Sequence, residues 1–292
     1  MKPDVTYDAG HATNGERASC AYAFAMHESV SGVPAYREVE MAGKASAYCL
    51  LIPVINEGGR IVSELEKAKA AGVPDMVDVC ICDGGSTDGS VEPALLAELG
   101  VNTLLTKIGP GKQGAQLRMG ISWALARGYD GVVTVDGNDK DSVECVPLFV
   151  DALMRGYGFV QGSRFASGGA AVNTPLSRYL ALRLVHAPVV SLGAGFPYSD
   201  TTNAFRGYSA EFLSDPRVAP LRDVFQGYEL LAYLSVRAPR LGYRVCEVPV
   251  VRSYPEKGKT PTKISPIRGN LELMRALLHA AAGGYAPGEA DA

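Results

Sequence analysis

The chain has 292 residues, 47% of them hydrophobic, and a formal net charge of −3. That is enough apolar mass for one large domain, and the near-neutral balance leaves no electrostatic footprint for nucleic acid. Six cysteines without a C-x-x-C pair and four scattered histidines argue against a zinc or disulfide framework and for reduced thiols.

No signal-peptide pattern and no run of eighteen uncharged apolar residues is visible, so a cytoplasmic chain without a transmembrane helix is expected. The nearest approach, Leu176 to Phe196, carries Arg178, Arg183, His186 and Pro188. It reads as a buried or interfacial segment, which leaves room for peripheral membrane contact.

Residues 1–44 are mixed polar and are expected as an N-terminal extension outside the main sheet. Ala47 to Val54 is a nearly continuous apolar run, as in a strand covered on both faces. Pro53 suits only its end, and Asn56 and Glu57 form its tip. Gly59 to Ala71 presents Ile61, Val62, Leu65 and Ala68 on one helical face, and Gly72 and Pro74 stop it. Val77 to Cys82 is the second strand. Cys80 and Cys82, two apart, point to one face. Asp83 to Ser90 is a polar loop, with Ser90 expected to cap a helix running to Leu99.

Val101 to Ile108 is a third strand, Gln113 to Arg127 a helix, and Gly131 to Val135 a fourth strand ending at Asp136 to Asp141. Asp141 and Ser142 are expected to cap a helix from Val143 to Arg155. Another strand begins at Phe159 to Gln161. This alternation predicts an α/β fold with a mostly parallel, doubly wound sheet and helices on both faces. Beyond it, a helix broken near Pro188 is expected over Ser177 to Leu192, and a strand or strand-turn over Thr201 to Ser209. A helix over Tyr228 to Ala238, a strand over Tyr243 to Val251, a basic loop over Arg252 to Ile264 and a helix over Leu271 to Ala281 follow. The layout is an extension (1–44), a catalytic domain (45–282) and a tail (283–292) expected to fray.

Open α/β sheets bind ligands outside the carboxyl ends of their strands. Two polar tips stand there. Asp83 to Ser90 offers two carboxylates, hydroxyls and a following helix N-terminus, suited to base, ribose or anionic groups, although any βα loop is rich in these residues. Asp136-Gly137-Asn138 follows a buried strand. A divalent cation shared with a diphosphate would compensate the desolvation of Asp136. Between them, Gly109 to Gly114 matches G-x-G-x-x-G literally. That keeps an NAD(P)-dependent oxidoreductase in view, although the match falls at the third strand and Pro110 removes an amide.

The order of these pieces resembles the family 2 glycosyltransferases. Leu51-Ile52-Pro53-Val54-Ile55-Asn56-Glu57 resembles their opening strand. Asp83 to Ser90 resembles their Asp-Gly-Ser-Thr-Asp signature, Gly111 to Ala115 their Lys-Gly-rich segment, and Asp136-Gly137-Asn138 their D-x-D metal motif. Gln161-Gly162-Ser163-Arg164-Phe165, Asp200 to Arg206, Gly227 to Leu231 and Glu247 to Val250 are similar to segments of the dolichyl- or polyprenyl-phosphate sugar synthase branch. Asn138 stands where the second metal-motif Asp would be, and no C-terminal membrane helices are expected.

The resemblance implies a GT-A, Rossmann-like domain. It implies an inverting, metal-dependent transfer from a nucleoside-diphosphate sugar to a lipid phosphate or small-molecule acceptor. The donor would lie on Pro53, Asn56, Glu57, Asp83, Ser86, Asp88, Lys112, Gln113, Asp136 and Gly137. Asp136 and Asn138 would hold Mg²⁺ or Mn²⁺. Arg164, Arg206, Arg252, Lys257, Lys259 and Lys263 would meet diphosphate or acceptor, with the 252–263 loop as a lid. Asp200, Glu229 and Arg206 are the catalytic candidates. A hydroxyl acceptor needs a general base, whereas a phosphate is already ionised and needs cations. A non-catalytic sugar-nucleotide binder is the third reading.

Overall fold

The computed structural model describes residues 22–255 and 268–288. Its strands are β1 (Ala23–His27), β2 (Tyr36–Glu40), β3 (Tyr48–Val54), β4 (Asp78–Asp83), β5 (Thr103–Lys107), β6 (Gly131–Thr134), β7 (Phe159–Ser163), β8 (Ala170–Val172), β9 (Arg206–Ser209), β10 (Val245–Pro249) and β11 (Val251–Ser253). The helices are α1 (Gly59–Ala70), α2 (Pro93–Glu98), α3 (Gln113–Ala126), α4 (Val146–Met154), α5 (Leu176–Ala181), α6 (Ala187–Ala194), α7 (Ala210–Ser214), α8 (Glu229–Arg240) and α9 (Arg268–Ala281). A π-helical segment, Leu182–His186, joins α5 to α6.

Nine strands form one sheet in the order β1-β2-β5-β4-β3-β6-β9-β7-β10. The block β5-β4-β3-β6 is parallel, and β9 runs antiparallel to both its neighbours. A short parallel pair, β8 with β11, stands apart. The alternation along β3 divides the core. Cys49 and Leu51 face a cluster with α3 and α8, while Leu50, Ile52 and Val54 face one with α1 and α4. Cys80 and Cys82 share the first cluster, as their spacing requires. The chain winds from β3 outward to β5, then crosses to β6 on the other side of β3. That reversal opens a crevice at the carboxyl ends of β3 and β6.

Four expectations are corrected. Residues 23–40 are not outside the sheet, because β2 pairs antiparallel with β5 and β1 pairs with β2 at the edge. Buried Glu38 of β2 accepts from Trp123 Nε1 and from Arg127, and these contacts tie the segment to α3. Ser90 does not cap α2; its hydroxyl donates to Asp88 at 2.6 Å. Asp141 does not cap a helix but pairs with Arg252. The tail is packed at its start, where Tyr285 meets Phe225, Tyr233 and His279 edge-on or tilted.

Candidate active site

The tips of β3 and β4 are knitted together. Asn56, at φ +48°, donates its backbone N–H to Ser86 Oγ and accepts from the N–H of Thr87. Asp88 accepts from the N–H of Gly58 at 2.8 Å. Buried Asp83 accepts from the backbone and hydroxyl of Ser86, so it shapes this loop from within. Glu57 pairs with Arg60. Gln116 of α3 donates to the carbonyls of Val54 and Cys82, which fixes both strand ends at one height.

The loop after β6 is held from two sides. From α1, Ser63 and Lys67 bind the Asp139 carboxylate and Glu64 accepts the Asp139 N–H. These contacts hold Asp139 at φ +57°, an uncommon backbone for a residue with a side chain. Burial, with the carboxylates of Asp141, Asp136 and Asp139 nearby, pushes Glu64 well above the usual carboxylate range. A Cβ on Gly137 would lie 2.9 Å from Val54 and 3.0 Å from Ile52, so the loop seats on the core only with glycine there.

Asp136 thereby faces the crevice. Gln113 Nε2 donates to one carboxylate oxygen at 2.7 Å, and Arg252 and Asn138 approach the other at 3.4 Å. Among the described residues, no three His, Cys, Asp or Glu side chains converge on a metal position. The donor set nonetheless fits a hard divalent cation that takes one or two protein oxygens and completes its shell with phosphate. Asn138 Oδ1 is buried and has no hydrogen-bond partner among the described residues. Its amide orientation is assignable either way, so that oxygen can turn toward Asp136.

Across the crevice, Arg164 at the end of β7 and Asp200 form a two-point ion pair of 2.6 and 2.7 Å, both side chains fully buried. Glu247 of β10 accepts from the backbone of Ser199 and Asp200 and presents that turn. Asp200 is therefore a counterion and not a free base. Burial alone would raise its pKa, but the bonds and charge of Arg164 hold it below the usual value. Arg206 is corrected as well. It is 1% exposed, and its nitrogens donate to Asn203 O, Leu231 O, Ser235 Oγ and Thr201 O. It ties β9 to α8, with four of its five N–H donors engaged by protein oxygens. Glu229 accepts the Gly227 N–H at 2.6 Å at the mouth of α8.

A cationic cluster lies beside Asp136. Arg252 of β11 bonds Asp141 and reaches Asp136. Burial opposes its charge, yet the two carboxylates raise its pKa above the ordinary arginine value. Buried Tyr254 lies next to it. Lys140 sits 5.7 Å from the Tyr254 ring centroid and Arg178 sits 5.6 Å from it. Arg178 also donates to the phenol oxygen at 3.2 Å. Burial would raise the Tyr254 pKa, but Arg252, Arg178 and Arg164 pull it down. Lys257, Lys259 and Lys263 lie outside the described residues.

The glycosyl transferase family 2 model matches residues 49–216. The chain belongs to that family. As a family 2 glycosyltransferase it is 29% identical, over 213 residues, to the undecaprenyl-phosphate mannosyltransferase of Micrococcus luteus, with 72% of this chain and 85% of that protein covered. It is 28% identical over 196 residues to the polyprenol monophosphomannose synthase of Mycolicibacterium smegmatis (66% and 72% covered). Among solved structures it is similar to glucosyl-3-phosphoglycerate synthase from Mycobacterium tuberculosis, a complex with Mn²⁺, UDP and glucosyl-3-phosphoglycerate. That likeness has a TM-score of 0.54 at 18% identity and covers 85% and 82% of the two chains. The fold is GT-A-like.

In this glycosyltransferase the glycine loop is not a dinucleotide fingerprint. A Cβ on Gly114 would lie 2.6 Å from Phe225 O and 2.8 Å from Gly227 O, and one on Gly111 would lie 2.8 Å from Gln226 Oε1. Lys112 N–H donates to Gln226 O. Gly114 thus admits the 225–227 backbone, and Gly111 the side chains of Ala115 and Gln226. The oxidoreductase reading falls on this packing and on the family. Lys112 itself is exposed at the start of α3. Gln116, Glu64, Lys140, Arg178 and Tyr254 are site-building residues that the motifs did not reveal. Gln116 stands among apolar residues of α3, which was a signal, whereas Lys140 and Tyr254 lie outside the helices and strands and gave none.

Proposed function

We propose that this glycosyltransferase moves a sugar from a nucleoside-diphosphate sugar onto the phosphate oxygen of a polyprenyl-phosphate acceptor, with inversion, at a membrane surface. The observation that carries the choice of acceptor is the pairing of the site's charges. Asp200, the nearest analogue of a general base, is spent on Arg164, while Arg252, Lys140 and Arg178 gather around Tyr254. A phosphate acceptor needs those cations and no base. The relatives named for polyprenol and undecaprenyl phosphates support the same reading.

In this proposal the donor diphosphate lies between the β4 tip and Asp136, with Asn56, Asp83, Ser86 and Asp88 shaping the nucleoside side. Asp136 and Asn138 hold Mg²⁺ or Mn²⁺, as the solved neighbours that contain UDP with either ion suggest. The bound cation would offset charge on the departing diphosphate. Gln113 orients Asp136, and Lys112 adds a mobile cation at the donor's edge. Glu229 supports the 225–227 turn against α3. The acceptor oxygen enters from the Arg164 and Tyr254 side, opposite the diphosphate.

Nucleotide release from a panel of UDP-, GDP- and TDP-sugars, with polyprenyl phosphate and either ion, tests the reading. Release that requires both acceptor and metal supports it; no release with any donor contradicts it.

A further inference from the structure

The limb from Leu176 to Ala194 is built in three pieces: α5, the π-helical segment and α6. Its inner face buries Leu182, His186, Ala187, Val190 and Ala194, and α6 packs on α8 and α9. Its outer face carries an apolar residue at every fourth position: Leu176, Leu180, Leu184, Pro188 and Leu192. All five are exposed, Leu192 at 88%, Leu176 at 72% and Leu184 at 69%.

In an uninterrupted α-helix such a row drifts about 40° around the axis at each step. The wider π turn over Leu182–His186 takes up part of that drift. The row therefore stays on one side of the limb, where it forms a ridge instead of a spiral. A soluble surface has no use for a ridge of exposed leucines.

The charge around the ridge selects its partner. Between Asp151 and Asp200 the chain contains no Asp or Glu, while it carries Arg155, Arg164, Arg178 and Arg183. Arg183 is exposed beside the ridge and lies 5.1 Å from the Phe165 ring. Arg178, on the first turn of the same limb, donates to Tyr254 in the cationic cluster. An apolar ridge on a stretch of chain whose charges are all positive matches an anionic bilayer interface. It does not match a second copy of this chain, whose ridge would bring Arg183 against Arg183 or an equally basic flank.

We propose that this ridge is the surface by which the protein lies on an anionic membrane, with the leucines in the acyl boundary and Arg183 at the headgroups. The proposal deepens the lipid-phosphate reading: a limb whose Arg178 touches Tyr254 would bring the headgroup of an embedded acceptor to the cation cluster.

Co-sedimentation of the full chain with vesicles of phosphatidylglycerol and phosphatidylcholine, with no donor or acceptor present, tests it independently of catalysis. The wild-type protein should bind mixed vesicles and release from pure phosphatidylcholine or at high salt. Leu180→Glu with Leu184→Glu should weaken partitioning about a hundredfold, and Arg183→Glu should weaken it only on anionic vesicles. Both variants should keep wild-type turnover on a short-chain, water-soluble polyprenyl phosphate. Absence of wild-type binding, or binding unchanged by the double substitution, overturns the proposal. So does a dimer by light scattering that the double substitution splits while vesicles bind neither form. Failure of turnover on the soluble acceptor, with vesicle binding intact, would instead sink the acceptor reading alone.

Discussion

Arg164 and Asp200 face each other through two hydrogen bonds of 2.6 and 2.7 Å, with both side chains sealed from solvent. Removing one partner leaves an uncompensated buried charge, which costs about 3–5 kcal/mol. Arg164→Met and Asp200→Asn should each lower stability by that order in urea unfolding. The Asp200 pKa is held below its usual value of 3.8. Its contribution is therefore complete above that value and is lost as pH falls through the lower folded value. Acid titration of the melting temperature should show a shallower fall below pH 4 in Asp200→Asn than in the wild type.

Asp136 and Asn138 make a mixed carboxylate–amide pair. Asp136→Ala should reduce turnover about a thousandfold or more, since metal charge stabilisation at a diphosphate supplies several kcal/mol. Asn138→Asp adds a second carboxylate and should tighten Mn²⁺ activation without raising the rate at saturating metal. A metal titration of initial rate checks both. Near-normal turnover in Asp136→Ala would refute the assignment.

Arg206 should behave as a scaffold residue. Its nitrogens all donate to protein oxygens between β9 and α8. Arg206→Met should lower the melting temperature, while the folded fraction keeps the wild-type KM for donor and acceptor. A selective rise in KM with unchanged melting would contradict this.

Gly114 meets the Phe225 and Gly227 carbonyls. Gly114→Ala forces the 225–227 turn away from α3 and should cost about 1–3 kcal/mol. Chemical denaturation of this variant reads the cost directly. Retained stability would mean that the loop is open to a ligand after all.

Much of the proposed donor side was legible in the sequence, because most of its residues sit near strand ends, where apolar runs stop and polar clusters begin. Asn56 and Asp88 knit the β3 and β4 tips, and Gln113 at the start of α3 holds Asp136 after β6. What stayed hidden follows from two physical causes. β2 is hard to read because its burial rests on Glu38 and its partner Arg127, 89 positions away, and a carboxylate does not announce a core. Arg206 and Asp200 look like catalytic groups by type. Whether an arginine or aspartate is free depends on which neighbours the fold brings, and Leu231 and Arg164 answer that only in three dimensions. The same is true of Tyr254, an unmarked residue until Arg178, Lys140 and Arg252 converge on it.

The acceptor claim is tested most directly by one comparison at fixed donor and metal: polyprenyl phosphate against the matching polyprenol. The charge arrangement around Arg164, Asp200 and Tyr254 predicts sugar transfer to the phosphate alone, with KM for it raised about tenfold or more by Arg178→Ala and by Tyr254→Phe to a lesser degree. Transfer to the polyprenol or to another hydroxyl acceptor such as phosphoglycerate, with none to the phosphate, would contradict it.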